Sequence, residues 1–268
     1  MTNWKKYNSA IVPDTPPHIS IDIQNLQSEI KKQNVFFARW TSDFDMRKES
    51  HFWYIICDNI IELSDYSRNT RSKINRGLKQ CEVRIVDNEI LVKYGYEVYI
   101  AAFRNYKTYL KPKTQKEFVK EIEENESDWE FWGVFYNGKI IAYSKNKLVA
   151  DYCEYASIKF HPDYLKYYPS YALFYSMNKY YLKENNFKYI NDGSRSISHL
   201  TNIQDFLIQK FKFRKAYCKL NLVYRWDVRL LVVSLYPFRI LIAKFKDKRF
   251  FNKLNTLLVQ EGIKRDCI

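Results

Sequence analysis

Ionisable and hydroxyl side chains are concentrated in the stretch DGSRSISH, which begins at Asp192. An aspartate, an arginine and a histidine this close together can order an acceptor amine or hydroxyl group and remove its proton. We therefore predict that Asp192 and His199 are catalytic. Arg195 and Asn202 are predicted to bind the substrate. In the local alternative, Ser198 or His199 caps the following helix, and an ion pair joins the aspartate to the arginine.

A further carboxylate, Glu154, lies in the strand-like stretch DYCEYASIKF. A carboxylate on a central strand is costly to bury unless it is paired or catalytic. Glu154 is therefore a second candidate for the general base. The alternative is that this side chain points to solvent.

A basic segment without any acidic residue, RNTRSKINRGLKQ, occupies residues 68–80. In a helix, Arg68, Arg71 and Lys79 fall on one face, beside an apolar stripe formed by Ile74 and Leu78. Aligned cations can hold the phosphates of a substrate, so we predict a substrate-binding role for these three side chains. The alternative is a charged helix face in contact with solvent only.

The composition restricts the class of protein. The 268 residues are 46% apolar and carry a net charge of +14, which indicates a globular protein with an anionic partner. The five cysteines are scattered and never form a CxxC pair, so neither a disulfide framework nor a metal site is predicted. The N-terminal segment lacks the apolar region of a signal peptide, which predicts a cytoplasmic protein.

The order of predicted elements is most regular between residues 81 and 225, where it reads β-α-α-β-β-β-α-β-α-β. The pattern predicts an α/β fold with a mixed sheet and helices on its faces. The strands at 151–160 and 187–192 should be parallel and separated at one end, because a helix connects them. We expect an extension with the basic helix at 1–80, the main domain at 81–225 and a basic tail at 226–268.

This order resembles the GCN5-related N-acetyltransferase (GNAT) fold. Two stretches, LSDYSRNTRSKINRGLKQCEVRIVD and DGSRSISHLTNIQDFLIQKFKFRKAY, resemble segments of Fem-type peptidyltransferases and related bacterial cell-surface proteins. The resemblance implies acyl or aminoacyl transfer to an amine or hydroxyl of a cell-surface glycan or peptidoglycan precursor. It implies coenzyme A thioesters or aminoacyl-tRNA as donors, and no tightly bound cofactor.

The chain departs from the GNAT pattern at the loop that holds pyrophosphate, where it reads LKYYPSYAL without a glycine. The Tyr168 side chain obstructs close approach to the backbone, and Pro169 lacks an N–H group. Ser170, Tyr171 and Ala172 are still expected to offer free N–H groups at the start of a helix, so they are the predicted cofactor-binding residues. Weak binding of acetyl-coenzyme A follows. The alternative function is a non-catalytic module that binds RNA or a nucleotide- or lipid-linked anion.

The tail at 226–268 combines an interrupted apolar stretch with several cations. It is too short and too broken to span a membrane. Peripheral contact with the inner face of a membrane is one expectation for such a segment. The alternatives are a helix packed on the body of the protein and a dimer contact, and the sequence does not predict the oligomeric state.

Overall fold

The computed structural model describes residues 2–106, 111–124, 128–197, 202–245 and 249–266. The chain forms two compact units. The first contains Met1–Tyr54, Ser194–Thr201 and Lys215–Ile268, and the second contains Ile55–Gly193 and Asn202–Arg214. These units group the residues differently from the expected division at residues 80 and 225.

The described residues form ten strands, β1 (Trp4–Tyr7), β2 (Ala10–Pro13), β3 (Phe37–Ser42), β4 (Phe52–Cys57), β5 (Glu82–Val86), β6 (Trp129–Tyr136), β7 (Lys139–Val149), β8 (Tyr152–Phe160), β9 (Tyr189–Ser194) and β10 (Arg214–Tyr224). Their α-helices are α1 (Leu26–Lys32), α2 (Arg68–Gln80), α3 (Asn88–Phe103), α4 (Gln115–Glu123), α5 (Pro169–Asn178), α6 (Ile203–Phe211), α7 (Trp226–Leu235), α8 (Arg239–Ala243) and α9 (Arg249–Asp266). A π-helical turn, Lys179–Glu184, continues α5.

The first unit is built on strands in the order β1-β2-β3-β10. The β2–β3 pair is parallel, and the other two pairs are antiparallel. Its core includes Ile11, Ile30 and Ala38, all without solvent exposure. Val232 and Leu258 bring α7 and α9 into a second buried cluster with β10 side chains. The tail therefore packs within this unit.

The second unit contains strands in the order β9-β8-β7-β6-β5. The pairs from β5 to β8 are antiparallel. The dipeptide Asn137-Gly138 predicts a type I′ turn, and it joins β6 to β7 with the positive φ angles that this turn requires, 49° and 77°. Because β8 and β9 pair in parallel, the sheet is mixed, as the sequence predicts.

The parallel pairing between β8 and β9 is short. It runs from Tyr152 opposite Tyr189 to Glu154 opposite Asn191, and β8 then continues to Phe160. The register of β8 against β7 shifts between Lys145 and Asn146. The predicted parallel crossover is confirmed, and the pairing ends after three residues of each strand.

Several predicted boundaries are wrong. The sequence predicts a helix at 94–110, whereas α3 begins earlier, at Asn88, because the helical spacing of buried side chains begins with Leu91. The helix expected from Pro169 leaves α-helical geometry after Asn178. The hairpin of β1 and β2 and the short α1 were not predicted, because the polar N-terminal residues lack a clear apolar period.

Candidate active site

Asp192 lies at the end of β9, beside Tyr155 of β8. The side chain of Asp192 is half-buried, and burial raises its pKa from 3.8 to about 8. Burial also raises the pKa of Tyr155, and the neighbouring charges of Cys153, Tyr181, Cys57 and Asp192 add to the effect. Asp192 has no ion-pair partner among the described residues. The site therefore favours the protonated form of this carboxyl at neutral pH.

Tyr155 is held in place by α5. Its hydroxyl donates a hydrogen bond of 2.8 Å to Asn178 Oδ1. The Asn178 Nδ2 is buried and interacts with the Tyr66 hydroxyl without the geometry of a full hydrogen bond. The hydrogen-bonded side chains of Tyr155 and Asn178 thus form a fixed, polar surface next to Asp192.

Glu154 lies on the opposite face of this strand pair. It pairs in register with Asn191, whereas Asp192 is the next residue of β9 and points to the other side. Glu154 is half-buried, and the Tyr152 hydroxyl donates to its Oε2 at 3.4 Å. The structure therefore separates the two predicted carboxylates by the thickness of the sheet.

The first turn of α5 is the segment expected to hold the phosphates of a cofactor. Tyr168 precedes it in the left-handed conformation, with a φ of 59°. The N–H groups of Tyr171 and Ala172 both donate to the Tyr168 carbonyl oxygen, at 3.1 and 3.2 Å. Of the three predicted N–H donors, only that of Ser170 lacks an acceptor among the described residues.

Helix α2 packs closely against this turn. A Cβ atom on Gly77 would lie 2.7 Å from the Tyr168 carbonyl oxygen and 3.1 Å from Ala172 Cβ, so only glycine allows this approach. Thr70, Ile74 and Gly77 form the buried face of α2. Leu78, which the sequence placed in the apolar stripe, is 39% exposed, because the helix contacts α5 through its glycine instead.

The cations of α2 lie on different sides of the helix. Arg68 and Lys79 are exposed and point away from the buried face. Arg71 is half-buried, and its Nη1 donates to the Ser64 carbonyl oxygen at 3.2 Å. The cation that contacts the first turn of α5 is Lys73, whose Nζ lies 5.3 Å from the centre of the Tyr171 ring. Sequence reasoning did not select this lysine.

Comparison with solved structures identifies the fold. The structure of FemX matches with a TM-score of 0.58 and 10% identity, over 86% of this chain and 85% of FemX. The chain has the fold of FemX. The C-terminal domain of an Agrobacterium fabrum protein assigned as a lysylphosphatidylglycerol synthetase matches with a TM-score of 0.52 and 11% identity, over 87% of this chain and 84% of that one. The resemblance to the Fem-type fold and the mixed α/β sheet are confirmed.

Sequence comparison alone identifies no relative. No protein-family model matches the chain, and no curated protein matches it.

The remaining predicted residues of this Fem-type fold are distributed over both units. Arg195, in the first unit, donates its guanidinium N–H to the His51 carbonyl oxygen and lies 4.8 Å from the centre of the Trp53 ring. Asn202, in the second unit, is exposed and precedes α6 without a capping hydrogen bond from its side chain. His199 lies outside the described residues.

A cluster of lysines that was not predicted lies on the Glu154 face of the sheet. It consists of Lys113, Lys145 and Lys159. The Nζ of Lys145 lies 2.7 Å from Glu121 Oε1, and Lys113 contacts the same carboxylate. Burial, followed by the charge of Lys159, lowers the pKa of Lys145 to about 8. The sequence feature that could have indicated this cluster is Lys145, which lies in the largely apolar, strand-like stretch IIAYSKNKLV.

A buried hydrogen-bond network fixes the π-helical turn to the sheet. The Tyr181 hydroxyl accepts from Trp132 Nε1 at 2.9 Å and from Asn146 Nδ2 at 3.0 Å. It donates to the carboxylate of Glu130. π-Helical turns are frequent at functional sites. Here the network holds the end of α5, and therefore Asn178, at a fixed position relative to β6 and β7.

Two further observations concern metals and membranes. In the ranges that the structure describes, no group of three or more His, Cys, Asp or Glu side chains could hold a metal ion. No helix within those ranges is long and apolar enough to cross a bilayer.

Proposed function

We propose that this protein transfers an acyl or aminoacyl group to an amine or hydroxyl group, with Asp192 as the proton acceptor. The observation that carries the proposal is the Asp192 carboxyl, whose pKa of about 8 lies near working pH. General bases are most effective when their pKa is close to the pH at which they work. The position of Asp192 at the carboxyl end of a parallel strand supports this role, because ligands of open α/β sheets bind there.

In the proposed reaction, the acceptor nitrogen or oxygen attacks the carbonyl carbon of an activated ester. Asp192 takes the proton that the nucleophile loses. A coenzyme A donor leaves as its thiolate, and the ribose oxygen of an aminoacyl-tRNA leaves as a hydroxyl group after it takes this proton from Asp192. The pairing of β8 with β9 ends just before Tyr155 and Asp192, which supports placing the ester between these strands. Aminolysis of an activated ester depends mainly on alignment and one proton acceptor, so few other groups are required.

The donor is proposed to be phosphorylated, either a coenzyme A thioester or an aminoacyl-tRNA. Lys73 and the Ser170 N–H stand at the first turn of α5, where a helix dipole favours an anion. Arg68, Arg71 and Lys79 would attract the same donor over a longer range, since the chain carries a charge of +14. The name of the Agrobacterium neighbour, a synthetase of lysylphosphatidylglycerol, fits aminoacyl transfer.

The acceptor is proposed to be an anionic cell-surface glycan or peptidoglycan precursor. Burial, followed by the charges of Lys145 and Lys159, lowers the pKa of Lys113. Glu121 pairs with Lys113 and Lys145 and offsets part of the repulsion among the three cations. An anionic group of the acceptor would relieve this repulsion. Glu154 shares the face of the sheet with this cluster, opposite Asp192, so both are proposed to hold a part of the acceptor that is remote from the reacting atom. Arg195, Asn202 and His199 remain proposed contributors to its binding.

The test is transfer of a labelled group from acyl-coenzyme A or aminoacyl-tRNA to a set of nucleotide-linked cell-wall precursors. We expect the rate of the wild type to rise with pH to about 8 and then level off, as Asp192 becomes ionised. Asp192→Asn should lower kcat/KM by roughly 100-fold or more, the usual contribution of a general base. Asp205→Asn on α6 makes the same chemical change at an exposed position and is the control. Full activity of Asp192→Asn would contradict the assignment.

The second candidate is a non-catalytic module that binds RNA. It is favoured by the loop LKYYPSYAL, which lacks the glycines of the GNAT phosphate loop, and by the net charge of +14. Steep weakening of RNA binding with salt, together with no turnover of any donor, would support this candidate. Turnover that depends on Asp192 would exclude it.

A further inference from the structure

Large apolar side chains are exposed on the helices that follow β10 in the first unit. We call this the α7–α8 surface and define it by the exposed side chains Trp226, Leu230, Val233, Phe238, Ile240 and Leu241. The exposed fractions of Trp226, Leu230 and Ile240 are 74%, 62% and 68%. Single exposed apolar residues are ordinary, but a concentration of this kind within 16 residues marks an interaction surface.

Helix α7 is apolar on two opposite sides. Val228 and Val232 are buried against the core of the first unit. Trp226, Leu230 and Val233 are spaced at i, i+4 and i+7, so they share the opposite face. A surface helix of a globular protein normally carries polar residues on that face. Packing in the core therefore accounts for the apolar residues on one side of α7 but not for those on the other side.

Positive charge surrounds these apolar side chains. Arg229, Arg239 and Lys244 are exposed, and Arg229 and Lys244 have no carboxylate partner among the described residues. The single acidic residue between 226 and 245 is Asp227, which is bonded to Arg225 at 2.7 Å. The uncompensated charge of the α7–α8 surface is therefore positive.

We propose that the α7–α8 surface docks on a bilayer that contains anionic lipids. An exposed tryptophan with leucine and isoleucine neighbours suits the boundary between headgroups and acyl chains. The flanking cations attract anionic headgroups. A helix of this length lies in the interface, which agrees with the lack of a spanning helix in the described ranges. The proposal rests on exposure and charge, and it does not depend on the transfer reaction.

The test is flotation of the full-length protein with vesicles of phosphatidylcholine, with and without phosphatidylglycerol. We expect binding to the anionic vesicles to be at least tenfold stronger, and to weaken in high salt. The double variant Leu230→Glu/Ile240→Glu should reduce binding by at least tenfold. Ile23→Glu is the matched control, because Ile23 is an exposed isoleucine of the same unit at 51% exposure and lies outside α7 and α8.

A second pair of variants separates the apolar contribution from the electrostatic one. Arg229→Ser/Lys244→Ser should reduce binding to anionic vesicles by about tenfold and leave any binding to neutral vesicles unchanged. Trp226→Ser tests the apolar contribution with a single exposed change, should the double variant fold poorly. Far-ultraviolet circular dichroism and urea midpoints establish that each variant is folded.

Three results would overturn the proposal. The first is no flotation of the wild type with anionic vesicles. The second is an equal loss of binding in Ile23→Glu and in Leu230→Glu/Ile240→Glu. The third is a dimer in light scattering that Leu230→Glu dissociates, since the surface would then be a contact between two copies of the chain.

Discussion

Replacement of Asp192 by asparagine should change how the stability of the protein depends on pH. Burial raises the pKa of this carboxyl from 3.8 to about 8. Between these two values the folded protein holds a proton that the unfolded chain releases, so the wild type loses stability as pH rises through this window. The loss is complete once pH exceeds about 8. Asparagine does not titrate, so its contribution to the stability of the protein does not change with pH.

The size of the effect follows from the pKa in the folded state. From about pH 5.5 to about pH 9, the titration of a group with a pKa of about 8 removes at most roughly 3 kcal/mol, at 1.36 kcal/mol for each pH unit below that pKa. Asp192 is only half-buried, and solvent at its exposed side reduces the expected change to about 1–2 kcal/mol. Between about pH 5.5 and about pH 9, the free energy of unfolding of Asp192→Asn should therefore rise by about 1–2 kcal/mol relative to that of the wild type.

The assay is urea unfolding, followed by tryptophan fluorescence at both pH values. The wild type, Asp192→Asn and Asp205→Asn are compared, since the last variant makes the same change at an exposed position. We expect the stability difference from wild type to depend on pH for Asp192→Asn alone. A difference for Asp192→Asn that is identical at both pH values would refute the reasoning, because the carboxyl would then titrate at an ordinary pKa in the folded protein.

Three further outcomes are expected. Gly77→Ala should destabilise the protein by about 1–3 kcal/mol in urea unfolding, because its Cβ would meet the Tyr168 carbonyl oxygen at 2.7 Å. Lys73→Ala should weaken binding of a phosphorylated donor by roughly 5- to 50-fold in calorimetry, and Lys79→Ala should weaken it less, since that side chain points away from α5. Thr114→Ala should cost about 1 kcal/mol of stability, because it removes the capping box of α4.

The sequence predicted those parts of the fold that depend on local patterns. Ser64 or Ser67 before the basic segment and Thr114 before α4 are of the type favoured at helix starts, and Ser67 and Thr114 accept from the N–H of the third residue of their helices. The turn at Asn137 and Gly138 has the expected positive φ angles. The order of strands and helices between residues 81 and 225 agrees with the structure because each element is marked by its own period or its own boundary residues.

The geometry of the candidate site depends on contacts between distant segments, and the sequence did not predict it. The sequence around each residue does not indicate that Tyr155 lies beside Asp192, or that Asp192 and Glu154 face opposite sides of the sheet. The burial of Lys145 beside Glu121 depends in the same way on how α4 packs. Spacing in the sequence predicted which residue types could react but not which of them meet.

Gly77 connects the basic helix to the loop that lacks glycine. In the GNAT pattern, the glycines of that loop allow a phosphate group to approach the backbone. Here the loop has no glycine, and the glycine at the contact between α2 and α5 is Gly77 of α2. It brings the α2 backbone against the Tyr168 carbonyl oxygen, which also accepts the N–H groups of Tyr171 and Ala172. The packing of α2 against α5 thus takes place at the carbonyl oxygen from which the hydrogen bonds of α5 begin, and the Ser170 N–H is the predicted donor that lacks an acceptor among the described residues. Weak binding of acetyl-coenzyme A at this turn stays a prediction, and calorimetric titration of the wild type tests it.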